Sequence, residues 1–233
     1  MTKTIPEPET TLSTPEYAIS DHTAALKARR LMTELKEYAS SENWAKTNAE
    51  LGLNGNISNT RRWRKILNMP RSRKDISGSW LDHKGNVMAR PDPKKTAEVV
   101  VRILAANFRP GSQGSEDERQ LYLGTMKFRR NEILRPGRLD RQLGGTYKAL
   151  RVSFHALQRM VQRGYGLSKD GEIRYRALLD CLASVWEVAY QRFEKETSFP
   201  AEYRVEHEGA VFVVKVDNAG SEMDLVTMLP PKK

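Results

Sequence analysis

The chain has 233 residues, 39% of them hydrophobic and 29% charged, which suits one large domain or two small ones with a sizeable core and excludes a chain disordered throughout. Lysine and arginine number 39 against 29 aspartate and glutamate, a net charge of +10 that favours an anionic partner, nucleic acid above all. Cys181 is the single cysteine and the four histidines show no metal-ligand spacing, so an intrachain disulfide is excluded and neither a metal nor a cofactor is expected.

Residues 1–19, rich in Thr, Pro and Glu, read as a flexible tail without an apolar signal core. With no long apolar run, no membrane association is expected, and the chain is expected to be soluble and cytoplasmic. From Asp21 the spacing of Ala25, Leu26, Leu31, Leu35 and Tyr38 predicts a helix. "SENWAKTNAELGL" predicts a second helix, and "NTRRWRKILNM" a third that runs up to Pro70. "DHKG", between Trp80 and Val87–Met88, reads as a hairpin turn. Asp92 before Pro93 reads as a helix start, so "PKKTAEVVVRILAANF" is expected to be an amphipathic helix. "RQLYLGTMKFRR" alternates as a strand, weak at Gly124, and "NEILRPGRLDRQLGG" is a loop rich in arginine.

Beyond residue 146 the predicted order is strand, helix, helix and three strands. "TYKALRVSF" is the first strand, and "SFHALQRMVQRG" is a helix capped by Ser153 and stopped by Gly164. "EIRYRALLDCLASVWEVAYQRFEKE" is a long helix with Cys181 in its apolar pattern. "AEYRVEHEGAVFVVKVD" is a hairpin turning at Glu208–Gly209, and "MDLVTMLPP" is a final strand. The expected class is α+β: a helical, basic region over residues 20–130, a linker over 131–145, and a β-α-α-β-β-β antiparallel-sheet domain over 146–233.

Two regions carry candidate chemistry. His155, Arg159 and Arg163 recur at four-residue spacing and lie in a row on one side of their helix, away from Leu157, Met160 and Val161. An imidazole in a first turn with two guanidiniums behind it suits a phosphate. Positive charge around it favours a neutral imidazole, able to act as general base on a ribose 2′-hydroxyl while the arginines hold the phosphate. A solvated polar helix face explains the same spacing. The second region, "NTRRWRKILNMPRSRK", gathers Arg61, Arg62, Arg64, Lys65, Arg71, Arg73 and Lys74 around Trp63. It is read either as a nucleic-acid footprint with Trp63 stacking on a base, or as a basic helix with Trp63 in the core. Arg129, Arg130, Arg135, Arg138 and Arg141 extend this positive charge toward the His–Arg helix.

The run "SFHALQRMVQRG" resembles the S-x-H-A-x-x-R-M-x-x-R-G signature of toxin-like domains grouped with the barnase, EndoU, colicin and RelE-type ribonucleases, with Ser153, His155, Ala156, Arg159, Met160, Arg163 and Gly164 matching. The resemblance covers residues 146–230. It implies one or two helices before an antiparallel sheet, and metal-independent RNA cleavage or, in some branches, binding alone. It also implies a hydroxyl residue on the last strand, where Thr227 stands. Within that reading His207 is the second acid–base candidate, on one strand face with Tyr203 and Val205, with Arg204, Glu206 and Lys215 as alternatives. The leading expectation is therefore a cytoplasmic ribonuclease toxin or effector acting on RNA, with a cognate antitoxin or other acidic protein as a further partner. The alternatives are a non-catalytic nucleic-acid-binding regulator, with DNA as its target, and an interaction protein that docks an acidic partner.

Overall fold

The computed structural model describes residues 19–38, 55–56, 60–72, 74–108, 119–131, 133–134, 148–168, 170–220 and 222–230. The helix expected over 41–53, Arg73, Arg135, Arg138 and Arg141 lie outside the described residues. The described helices are α1 (Asp21–Tyr38), α2 (Thr60–Ser72), α3 (Phe154–Gln162) and α4 (Tyr175–Phe193). The described strands are β1 (Gly55–Asn56), β2 (Ile76–Asp82), β3 (Val87–Met88), β4 (Thr96–Phe108), β5 (Arg119–Arg129), β6 (Ile133–Leu134), β7 (Lys148–Ser153), β8 (Ala201–His207), β9 (Ala210–Val216) and β10 (Met223–Leu229).

One eight-stranded sheet dominates, in the order β3-β2-β4-β5-β7-β10-β9-β8, beside a two-stranded ladder of β1 and β6. Neighbours in the large sheet are antiparallel except β7 and β10, which run parallel. The class is α+β, and the order from β7 onward is strand, helix, helix and three strands, as the sequence pattern predicts. The 131–145 segment does not part the sheet, because β5 and β7 pair across it. The region 20–130, expected to be helical, contributes α1 and α2 but also β2 to β5.

The clearest correction concerns residues 93–108, expected as a helix and found as β4. Asp92 caps a turn instead: its carboxylate accepts from the amides of Lys94 at 2.7 Å and Lys95 at 3.3 Å, and its carbonyl accepts from the Thr96 amide at 2.8 Å. Three successive valines and an isoleucine then favour an extended chain. Val99, Val101 and Ile103 are buried while Glu98, Val100 and Arg102 are half-buried, and the valine on the second face blurs the sequence alternation of a strand. Val99, Val101 and Ile103 pack with Trp63, Ile66, Leu67 and Met69 of α2. Leu104, on the opposite face, joins the larger core formed with α1, α3 and α4. At the α2 face the contact is close: a Cβ on Gly78 would stand 2.5 Å from Pro70 Cγ. Pro70 does not end α2, which continues to Ser72.

Candidate active site

Helix α3 starts where its sequence places the cap. Ser153 Oγ accepts from the Ala156 amide at 3.1 Å and donates to the Val226 carbonyl at 3.1 Å, fixing the start of α3 to β10. Leu157, Met160 and Val161 are buried as the packing face. The row on the other side divides. His155 is exposed in the first turn. Arg159 Nη1 donates to Asp21 Oδ1 of α1 at 3.1 Å and to Gln162 Oε1 at 2.6 Å. Arg163 donates through Nη1 to the Met228 carbonyl of β10. Arg159 and Arg163, the latter at the helix C-cap, are thus held by different partners.

Arg163 instead shares a cavity with His207. Both line a cavity of about 420 Å³ between the turn after α3, the middle of α4 and the β8–β9 turn, together with Tyr165, Asp180, Cys181, Ser184 and Glu208. That volume is in the range of small-molecule sites. Gly164 and Gly166, at φ of 81° and 75°, let the backbone reverse around Tyr165, conformations that L side chains rarely adopt. The Tyr165 hydroxyl donates to the Glu208 carbonyl at 2.7 Å, and its ring meets Phe212 edge-on at 5.6 Å. Phe212 also neighbours His207, at 6.3 Å between centroids. As the alternation in β8 predicts, Tyr203 and Val205 are buried while Arg204 and Glu206 are exposed.

The electrostatics sort the lining groups. Burial pushes the Tyr165 hydroxyl and the Cys181 thiol each up to about 12, so both are uncharged at neutral pH and Cys181 is no nucleophile. Burial, and then the nearby Arg159 charge, lower the Arg163 pKa from its usual value. Even so, a guanidinium stays protonated at neutral pH. No carboxylate lies within ion-pair distance of it among the described residues, so the cavity has a cationic wall able to bind an anionic oxygen. His207 Nε2 stands 3.8 Å from Glu208 Oε1, near it but beyond hydrogen-bond distance, and Glu208 is largely exposed. Asp180 adds a further acid on α4. Among the described residues no group of three or more His, Cys, Asp or Glu side chains is arranged to hold a metal, and no helix is long and apolar enough to cross a membrane.

The remaining sequence candidates lie elsewhere. Thr227 sits half-buried on β10, outside the cavity lining. Lys215 stands 3.8 Å from Glu202. Trp63, expected to stack on a base in one of the two readings, is 1% exposed and belongs to the α2 core, so that role is corrected to packing. Arg61, Arg64 and Lys65 are exposed on α2, and Arg62 is half-buried. Arg71 lies over the Trp80 ring at 5.2 Å, Arg129 pairs with Glu98 at 2.8 Å, and Arg130 donates to the Lys94 carbonyl at 3.2 Å. The sequence reading missed Tyr165, Asp180, Ser184 and Glu208. The glycines on both sides of Tyr165 were the available signal for a shaped turn. No family model, no curated protein and no solved structure matches the chain.

Proposed function

We propose that this chain is a metal-independent ribonuclease of toxin or effector type, with its chemistry in the cavity shared by Arg163 and His207. The observation that carries the reading is one cavity lined both by Arg163, partly buried and without a carboxylate partner among the described residues, and by the imidazole-bearing His207. The resemblance of the α3 sequence to toxin-like ribonucleases and the net charge of +10 support it. In this reading His207 removes the proton from a ribose 2′-hydroxyl, and the 2′-oxygen attacks the adjacent phosphorus. Arg163 stabilises the charge that builds on the phosphate oxygens. The P–O5′ bond breaks, and a proton from His207 or water completes the 5′-hydroxyl, leaving a 2′,3′-cyclic phosphate. Exposed His155 would steer the strand along α3.

Incubating the protein with RNA in excess EDTA, beside His207→Ala, Arg163→Gln and His155→Ala, tests this. Loss of about 100-fold or more is expected for His207→Ala. Cleavage that needs a divalent metal, or that survives His207→Ala unchanged, overturns the assignment. Loss in His155→Ala alone moves the chemistry to the start of α3.

A second reading rests on the exposed Arg61, Arg64 and Lys65 of α2: nucleic-acid binding without cleavage. It expects salt-dependent duplex binding that falls in the triple alanine variant and is indifferent to His207→Ala.

A further inference from the structure

Outside that cavity, a second polar cluster lies on the opposite side of the sheet from α2. Ile76, Gly78 and Trp80 of β2 face α2, so alternation turns Ser77 and Ser79 to the other side. Arg102 stands across from Ser77 in the β2–β4 ladder, and Thr125 across from Arg102 in the β4–β5 ladder. Directly opposed residues place their Cβ atoms about 5 Å apart, so these side chains are neighbours on one face. Two donors in this cluster lack partners. Ser77 is 4% exposed, and its Oγ is buried without a hydrogen bond. Arg102 Nε is buried without one as well. Arg102 Nη1 donates to Ser79 Oγ at 3.1 Å. No carboxylate lies within ion-pair distance of Arg102 among the described residues. Asp75, buried just before β2, has a partner of its own.

Buried polar groups in native proteins are almost always satisfied, and Arg102, half-buried with its Nε fully covered, has no counter-charge within ion-pair distance among the described residues. A bridging water would satisfy the Ser77 hydroxyl but leave the charge uncompensated. A tetrahedral oxyanion answers both, accepting from the guanidinium and from the hydroxyls. We propose that Ser77, Ser79 and Arg102 form a binding site for a phosphate-type oxyanion, separate from the Arg163–His207 cavity. The phosphate comes either free or as part of a nucleic-acid backbone.

The test is thermal denaturation and calorimetric titration of the full chain at constant ionic strength. One arm uses inorganic phosphate and the other a short RNA oligonucleotide, each with wild type, Ser77→Ala and Arg102→Gln. Wild type is expected to gain stability saturably. Ser77→Ala should bind about tenfold more weakly. Its stability without ligand should be unchanged or higher, because an orphaned hydroxyl has been removed. Arg102→Gln should lose binding; if it fails to fold, Ser77→Ala alone decides. Stabilisation by the oligonucleotide only, weakened in Ser77→Ala, assigns the site to backbone phosphate. No stabilisation in either arm, or the same stabilisation in wild type and Ser77→Ala, overturns the proposal.

Discussion

The Tyr165 hydroxyl and the Glu208 carbonyl, 2.7 Å apart, join the turn after α3 to the turn that follows His207. This bond ties the Arg163 side of the cavity directly to the His207 side. Tyr165→Phe keeps the ring against Phe212 and removes only the bond, so a loss of about 1 kcal/mol is expected in urea denaturation. RNA cleavage should fall further than stability if His207 moves the proton. A variant equal to wild type in both measurements would show that the bond positions nothing.

The glycine after Tyr165 offers a sharper contrast. At Gly166 the φ is +75° and an added Cβ would lie 3.0 Å from Leu178 Cβ. At Gly209 the φ is +78° but the space is open. Gly209→Ala should therefore cost only the backbone term, about 1 kcal/mol, whereas Gly166→Ala should cost about 2 kcal/mol or more. Equal melting shifts in the two variants would contradict the close packing of the turn on α4.

Glu34 gives the pH dependence. A hydrogen bond from the Tyr175 hydroxyl, followed by those from Arg30 and Lys74, holds its carboxyl below the usual carboxylate value. A carboxyl lowered on folding contributes stability above its unfolded pKa and loses it as pH falls through the folded pKa. Glu34 is about a third exposed, which reduces the effect. Glu34→Gln should cost about 1 kcal/mol at pH 7. The gap to wild type should close as the solution is acidified below about pH 4, near the unfolded value. A gap that does not change with pH would remove the charge from the account.

Cys181 lines the cavity yet is 6% exposed, and burial pushes its thiol up to about 12. Alkylation with iodoacetamide at pH 8 should be slow in the native protein and fast in urea. Rapid native labelling would mean that the cavity opens far more than its packing implies.

Much of the C-terminal half was legible in its residues. Ser153, the apolar triplet of α3 and the Glu208–Gly209 turn each obey a local rule, and local rules survive burial. β4 was not legible, because Val100 on its half-buried face continues the apolar run of the buried one, and Asp92 signals a turn as readily as a helix cap. Trp63 was ambiguous for a related reason: its basic neighbours report the surface of α2 while its ring reports the core. That Arg163 and His207 line one cavity depends on strand order, since α3 runs beside β10 and β10 pairs with β9, whose hairpin carries His207. No spacing in the sequence encodes that pairing.

The position of β10 has a consequence for how the molecule is assembled. This strand follows every other described element in sequence, yet it occupies an interior place between β7 and β9 and supplies the Met228 carbonyl that holds Arg163. Chain emerging from the ribosome can form the β8–β9 hairpin early, but that hairpin has nothing to pair with until residues 223–229 arrive. The β10 side of the Arg163 anchor is therefore missing until residues 223–229 have been made. A nascent chain stalled before that point carries both Arg163 and His207 without the strand that brings them together.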